Sequence, residues 1–137
     1  PPVVEEQDLQ TASAWLIDHF RRKHEIDIAY EEEIEEAEVV YPLRRFLFRT
    51  LRELLFNVVK HARTGRCSVR LVSSATKVSL EVSDQGAGFD PEQIEDGEGF
   101  GLFSLKERVE ALGGTARISA EPGHGSHIEV TMPRAGD

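Results

Sequence analysis

The sequence has 137 residues, 39% of them apolar, so it can form one compact domain with a sizeable core but is too short for a second full domain. Its formal net charge of -9 opposes the counterion-driven attraction to DNA and RNA, and no basic patch stands out along the chain, so nucleic acid is not an expected partner.

The cysteine content and the hydrophobic pattern bear on location. The single cysteine, Cys67, cannot form an internal disulfide. No apolar run approaches the roughly 20 residues that cross a bilayer, so we expect a cytoplasmic domain that makes no membrane contact itself. The sequence begins with Pro1 instead of Met and shows no signal peptide. This suggests a single domain, residues 1–137, from a longer protein whose other parts can include a membrane anchor.

The first part of the chain predicts a helix, a strand and a charged segment. Apolar residues recur at helical intervals from about Asp8 to Arg22. From His24 to Tyr30, Ile26 and Ile28 flank a polar residue, as in a half-buried strand. Six glutamates follow between Glu31 and Glu38, and their mutual repulsion favours a solvated loop or a frayed helix.

A long central helix is predicted from Pro42 to about Arg63. The proline suits the first turn of a helix, where a missing amide hydrogen leaves no bond unmade, and apolar residues then recur at spacings of three and four. On such a helix Glu53, Asn57 and His61 stand four residues apart, with Lys60 beside them. The helix therefore carries a polar stripe next to its buried face.

The second half predicts four strands and one more helix, which gives an α/β domain. The strands span residues 67–71, 77–84, 115–121 and 127–132. Between the second and third of these strands come a glycine turn and a loop from Asp90 to Glu98 with the composition of a mobile lid. A helix from Leu102 to Leu112 follows, and Gly113 and Gly114 can terminate it.

In two predicted strands, the alternation of side chains indicates which polar residues share the buried face. Because side chains alternate in a strand, Asp84 shares a face with the apolar residues at 78, 80 and 82, and we expect it to point inward. By the same alternation Ser126 shares a face with Ile128, Val130 and Met132, which brings a hydroxyl group to the same rim. A buried carboxylate needs hydrogen-bond donors, and an amino group such as that of adenine supplies one. In the competing interpretation, the two polar side chains close turns by bonding local backbone amides.

The glycine motifs and the polar stripe suggest a phosphate site. Backbone can approach a flat ring or a phosphate closely at Gly86 and Gly88, although turns alone also explain these glycines. The pair Gly99 and Gly101 precedes a helix whose first amide groups can hold phosphate oxygens. On the stripe, the Asn57 amide oxygen suits Mg²⁺, and the Lys60 ammonium can offset phosphate charge or simply face solvent at the helix edge.

Four short stretches, residues 53–62, 84–89, 99–102 and 123–126, follow one another along the chain in the order that a known family shows. The stretch from Glu53 to Ala62 resembles the N box of sensor histidine kinases. The stretches from Asp84 to Phe89 and from Gly99 to Leu102 resemble their two glycine boxes. The run from Gly101 to Gly114, with Pro122 to Ser126 behind it, is most similar to the branch that contains nitrate-sensor and DesK-like kinases. The likeness covers about Leu43 to Pro133, within a motif-bearing core of residues 42–133.

The resemblance implies a Bergerat fold and assigns a role to each motif residue. That fold is a two-layer α/β sandwich in which three helices cover one face of a mixed, mostly antiparallel sheet, as in gyrase, mismatch-repair and chaperone ATPases. By this likeness Glu53 and Asn57 orient Mg²⁺ and its water, and Asp84 binds the adenine amino group of ATP, with the Ser126 hydroxyl beside it. The remaining implied nucleotide-binding residues are Lys60, His61, Gly86, Gly88, Gly99, Gly101 and Leu102.

The resemblance also implies partners outside this chain. Kinases of this kind transfer the γ-phosphoryl group of ATP to a histidine on a dimerisation and phosphoacceptor domain, which then passes it to a response regulator. No acceptor segment is found here, because His24, next to Glu25, opens an alternating strand and has no dimerisation helix around it. Two alternatives remain: an anti-sigma-factor serine kinase or another ATPase of the same superfamily, and an interaction module whose nucleotide pocket has degenerated.

Overall fold

Helices and strands follow one another along the chain in the computed structural model, which describes residues 7–35, 39–91 and 101–134. The helices are α1 (Leu9–Lys23), α2 (Tyr41–Asn57) and α3 (Leu102–Ala111), and a π-helical turn (Val58–Ala62) extends α2. The strands are β1 (Asp27–Glu33), β2 (Arg66–Ser73), β3 (Lys77–Asp84), β4 (Thr115–Ala120) and β5 (Ser126–Pro133).

The five strands form one mixed sheet in the order β1-β2-β3-β5-β4. The pair β1 and β2 is parallel, and the other neighbouring pairs are antiparallel. Parallel pairing of β1 with β2 requires a crossover, which α2 and the π-turn supply. The predicted fold class, an α/β two-layer sandwich with a mostly antiparallel sheet, is confirmed.

The core lies between the helices and one face of the sheet. Alternate residues of β2, β3 and β5 are buried, in the pattern that a strand with one covered face requires. Opposite them, α2 contributes its apolar stripe, including Leu51 and Leu54, and Phe20 of α1 packs with its ring edge against Phe56 at a centroid distance of 5.0 Å. The three helices therefore cover a single face, as predicted.

The other face of the sheet is polar. Glu81 at its centre contacts Arg70 on one side at 3.5 Å and His127 on the other at 3.2 Å. The hydroxyl groups of Ser68 and Ser83 lie 2.7 Å apart across β2 and β3. Solvated polar groups of this kind need no second layer of structure, so the domain has two layers and not three.

The first helix begins and ends as its sequence indicates. The Asp8 carboxylate caps α1 by accepting a hydrogen bond from the Thr11 amide at 2.7 Å, and this bond lowers the pKa of Asp8. Basic residues occupy the last turn, where they interact favourably with the helix dipole. In the part of the chain that the structure describes, no helix is both long enough and apolar enough to span a membrane.

The first strand differs from its prediction. It begins at Asp27, three residues later than expected, and continues through Glu33 into the glutamate run. The expectation of a loop or frayed helix is therefore wrong for Glu31, Glu32 and Glu33. Charge repulsion does not prevent pairing here because β1 is an edge strand whose three glutamates are exposed to water.

The central helix also departs from prediction at its end. Regular α-helix stops at Asn57, and the next five residues form the π-turn. Arg63 then ends the segment in the left-handed conformation, with a φ of 56°. A π-turn places more residues in each turn than an α-helix does, so it rotates the side chains that follow Asn57 away from their α-helical positions.

Leu55 offers a test of the core. Its side chain is 0% exposed beneath the sheet, so Leu55→Ala leaves a cavity and should lower the free energy of unfolding by about 2–5 kcal/mol. Leu112→Ala removes the same atoms from a side chain that is 53% exposed and should change the free energy of unfolding by less than about 0.5 kcal/mol. Urea denaturation measures both, and equal losses would contradict the assigned core.

Candidate functional site

A buried carboxylate stands at the end of the central strand β3. Asp84 is 6% exposed and lies directly across from Ser126, the first residue of β5. Its Oδ2 atom accepts a hydrogen bond from the Ser126 hydroxyl at 2.7 Å, and its Oδ1 atom accepts one from the Gly86 amide at 2.8 Å. The prediction that Asp84 points inward is confirmed. The turn-closing interpretation holds for Asp84, which bonds the Gly86 amide, but not for Ser126, whose hydroxyl bonds the Asp84 carboxylate instead.

Asp84 also acts on its neighbour Cys67. Burial first, and then the negative charges of Asp84 and Asp27, raise the pKa of the Cys67 thiol to about 12. The thiol therefore stays protonated at neutral pH and behaves as a small apolar side chain of β2.

A cleft opens beside Asp84 between α2, the π-turn and the sheet. Its walls are mostly apolar, and the residues lining it are Leu54, Asn57, Val58, His61, Ala62, Val82, Asp84, Gly88, Phe89, Leu102, Ser126 and Ile128. The cleft is narrow: about 20 Å³ is open to the centre of a water molecule, which is room for roughly one or two waters. A purine ring therefore requires the walls to separate.

The π-turn determines which polar side chains reach the cleft. Asn57 precedes this turn and His61 lies within it, and both line the cleft. Lys60, also in the turn, is exposed and places its ammonium group over the Phe56 ring, 5.4 Å from the centroid. The predicted stripe therefore divides, with Asn57 and His61 at the cleft and Lys60 outside it.

Close backbone contacts hold the cleft in shape. The Ala62 carbonyl at the end of the π-turn accepts a hydrogen bond from the Ala87 amide at 2.6 Å, and a Cβ atom at Gly86 would overlap that carbonyl. Gly88 has a φ of +64°, and a Cβ atom there would overlap the Glu121 carbonyl of the β4–β5 turn. The first glycine motif is thus required by the packing of three segments against one another, whether or not a ligand binds.

Glu53, one helical turn before Asn57, does not line the cleft. Its carboxylate contacts Arg108 of α3, whose Nη2 atom lies 3.1 Å from both Oε1 and Oε2. A Cβ atom on Gly101 would stand 3.9 Å from Glu53 Oε1, so the carboxylate also lies beside the start of α3. Gly101 itself has a φ of +65° and caps α3 without a side-chain hydrogen bond.

The remaining predicted site residues divide into two groups. Gly88, Leu102 and Ser126 line the cleft with Asp84, whereas Gly86 and Gly101 shape its borders through their backbone. Gly99 and most of the predicted lid, residues 92–98, lie outside the described residues.

Sequence reasoning did not single out two parts of the site. Apart from Leu102, the apolar walls, including Phe89 next to Gly88, received no role, although a cleft between a helix and a sheet must be lined by their facing residues. Arg108 was also missed. Its signal is its position seven residues after Gly101, which is two helical turns and therefore the same face of α3.

The side chains available as metal ligands indicate which kind of metal ion the site can hold. Among residues 7–35, 39–91 and 101–134, no group of three or more histidine, cysteine, aspartate or glutamate side chains could hold a metal ion. Glu53 and Asn57 offer oxygen atoms on successive turns of α2. Two oxygen donors suit Mg²⁺, which is usually held by one or two protein groups together with the phosphates of a substrate.

Comparison with known proteins identifies relatives across most of the chain. Residues 43–136 match the family described as histidine kinase-, DNA gyrase B-, and HSP90-like ATPase. The chain is 34% identical over 133 residues to the sensor histidine kinase LiaS of Bacillus subtilis. The alignment covers 97% of this chain and 36% of LiaS. It is 26% identical over 133 residues to the oxygen sensor histidine kinase NreB of Staphylococcus carnosus, with 97% of this chain and 38% of NreB covered. It thus spans little more than a third of these relatives.

Solved structures share the fold. The Acinetobacter baumannii histidine kinase AdeS superposes with a TM-score of 0.69 at 19% identity, covering 93% of this chain and 65% of that one. The Erythrobacter litoralis EL346 blue-light activated histidine kinase superposes with a TM-score of 0.72 at 17% identity, covering 96% of this chain and 43% of that one. At these identities the likeness concerns the fold alone.

The contact between Gly86 and the π-turn can be tested by adding one methyl group. Gly86→Ala forces its Cβ atom into the Ala62 carbonyl and should lower the free energy of unfolding by at least about 2 kcal/mol. Gly65→Ala is the control, because no atom lies within 4 Å of the added Cβ, and it should change that free energy by less than about 0.5 kcal/mol. Chemical denaturation compares the two, and an unaffected Gly86→Ala variant would refute the close approach.

Proposed function

The chain belongs to the family of histidine kinase-, DNA gyrase B- and HSP90-like ATPases, and we propose that it binds Mg-ATP in the cleft beside Asp84 and donates the γ-phosphoryl group to a histidine. That histidine would lie on a separate dimerisation and phosphoacceptor domain, with a response regulator downstream. The curated relatives LiaS and NreB are sensor histidine kinases, and this chain spans about a third of each, so both partners concern the whole protein.

The buried carboxylate of Asp84 is the observation that carries this proposal. An ionised carboxylate has about four acceptor positions, and the Gly86 amide and the Ser126 hydroxyl occupy one on each oxygen atom. The local bonds therefore leave acceptor capacity on a group that lines a cleft with apolar walls. The exocyclic amino group of adenine is a donor of the right kind, and its flat ring suits those walls. A guanine base presents a carbonyl oxygen at that position, which a carboxylate repels.

The start of α3 is the proposed phosphate end of the site. Gly101, the N-cap of this ten-residue helix, has no side chain and therefore makes no capping hydrogen bond to its first amide groups. Amide groups at a helix N-terminus carry partial positive charge and bind phosphate oxygens well. Leu102 in the first turn and His61 of the π-turn both line the cleft, so they are the nearest candidates to border the phosphates. Lys60 would need to leave the Phe56 ring to contribute.

Glu53 and Asn57 are the proposed holders of Mg²⁺ and its water. When bound, the ion would offset the negative charge that develops on the phosphoryl group during transfer. Asn57 offers a neutral amide oxygen at the cleft, and Glu53 offers a carboxylate at its border. Because Glu53 is already hydrogen-bonded to Arg108, it suits the ordering of water better than removal of a proton.

The chemistry asks little of this chain beyond positioning. An imidazole nitrogen of the acceptor histidine would form a bond to the γ-phosphorus while the bond from that phosphorus to the bridging oxygen breaks, and ADP leaves. The acceptor histidine thus supplies the nucleophile. The domain's part is to hold ATP in line and to spread its negative charge.

A specific observation favours one alternative, the degenerate interaction module. The cleft is too narrow for a purine without movement of its walls. A measurement of nucleotide binding distinguishes the kinase domain from the interaction module. A ligand at 100 times its dissociation constant stabilises the folded state by about 2.7 kcal/mol. We expect Mg-ATP and Mg-ADP to raise the melting temperature and GTP to leave it unchanged. A melting temperature that is insensitive to all three would support the module.

Asp84→Asn tests the adenine contact. The amide oxygen can still accept from the Gly86 amide while the amide nitrogen donates to the Ser126 hydroxyl, which leaves an N–H group toward the adenine amine. ATP affinity should fall about tenfold or more, because a hydrogen bond to a charged group contributes about 1.5–3 kcal/mol. Asp27→Asn, at an exposed position of β1, is the matched control. Isothermal titration calorimetry gives both affinities, and normal ATP binding by Asp84→Asn would refute the assignment.

Asn57→Ala tests the metal contact. We expect its ATP affinity in Mg²⁺ to fall to the value in EDTA, because the amide oxygen that joins the metal to the protein is lost. The control is Gln10→Ala, which removes an amide from the exposed face of α1. Affinities measured with and without Mg²⁺ give the answer, and an undiminished Mg²⁺ effect would remove Asn57 from the metal site.

A further inference from the structure

Arg108 of α3 contacts Glu53 of α2. We propose that Arg108 is a positioning residue that holds the Glu53 carboxylate in place for the metal end of the nucleotide site. The inference rests on the proposed function, since Mg-ATP is what gives Glu53 a ligand to organise. It extends that function to Arg108, a residue to which the resemblance assigns no role.

The Arg108 side chain is held from its own helix. Its Nε atom donates to the Ser104 carbonyl one turn earlier at 3.3 Å, which limits the freedom of the guanidinium group. Its Nη2 atom then lies 3.1 Å from each oxygen atom of Glu53. One nitrogen atom therefore contacts both oxygen atoms, and this contact orients the carboxylate group toward α3.

The contact leaves Glu53 able to bind something else. Each carboxylate oxygen accepts about two hydrogen bonds, and Arg108 uses one on each. Arg108 thereby leaves the other two acceptor positions to water near a metal ion. A free glutamate would have to order its rotatable bonds when the ligand arrives, whereas Arg108 imposes that order beforehand.

The position of the contact links it to the site. Glu53 Oε1 would stand 3.9 Å from a Cβ atom on Gly101, at the proposed phosphate end of the cleft. The positive charge of Arg108 also offsets the negative charge of Glu53 near a triphosphate, where an unpaired carboxylate would be repelled. The pair thus lies where a defined carboxylate orientation affects the ligand.

An ordinary surface ion pair is the competing explanation. Both side chains are about half exposed, at 45% for Arg108 and 46% for Glu53, and exposed pairs contribute little to stability. The chain offers a matched pair for comparison, because Arg70 contacts Glu81 at 3.5 Å on the open face of the sheet. Replacing Arg70 therefore shows what the loss of an arginine–glutamate contact does where no nucleotide site lies beside the pair.

The test is a Mg²⁺ titration of ATP binding to the 137-residue chain. Arg108→Ala should raise the Mg²⁺ concentration at half-maximal effect about tenfold, as expected for loss of a group that orients a metal-binding residue. Its ATP affinity in EDTA should stay unchanged. Arg108→Lys should recover part of the loss, since a single nitrogen can also contact both oxygens of Glu53. Arg70→Ala should match the unaltered chain in both measurements.

A double variant decides whether Arg108 acts through Glu53. In a Glu53→Gln background, Arg108→Ala should produce no further rise in the Mg²⁺ requirement. Additive effects would overturn the inference, as would an unchanged Mg²⁺ requirement in Arg108→Ala. Equal loss of ATP affinity in EDTA and in Mg²⁺ would overturn it too, by making Arg108 a direct nucleotide contact. If the unaltered chain shows no Mg²⁺-dependent binding of ATP, the proposed function fails together with this inference.

Discussion

The need to satisfy one buried carboxylate constrains the whole site. Asp84 faces the core, so its oxygen atoms require donors, and Ser126 and the Gly86 amide provide them. The first donor requires the register that sets β3 against β5, because a slip of one residue would turn Asp84 toward solvent. The second requires a turn that returns under the π-turn, where Gly86 fits against the Ala62 carbonyl. Register, turn and helix end are thus coupled through one side chain.

Much of the fold and part of the site follow from local patterns. Alternation in β3 and β5 predicts their buried faces and therefore the inward direction of Asp84, since burial of one sheet face dominates the energetics of a strand. Helical spacing likewise predicts α1, α2 and α3 to within one residue at their starts. The family likeness adds what periodicity cannot supply, which is the identity of the ligand.

Other features depend on contacts between distant segments or on small energy differences. The π-turn differs from a continued α-helix by a rearrangement that leaves the residue pattern intact, so the separation of Lys60 from His61 was not predictable. The contact of Arg108 with Glu53 joins residues 55 positions apart. The extension of β1 into Glu33 depends on pairing with β2, which outweighs the repulsion that the glutamates suggest.

The glutamates of β1 have a further consequence for self-association. This strand forms one edge of the sheet, so its outer backbone groups could pair with a strand of another molecule. A second copy docking there in antiparallel fashion would bring Glu31, Glu32 and Glu33 against the same carboxylates, and like charges placed opposite each other disfavour such pairing. The acidic edge therefore disfavours self-association of this domain through extension of its sheet.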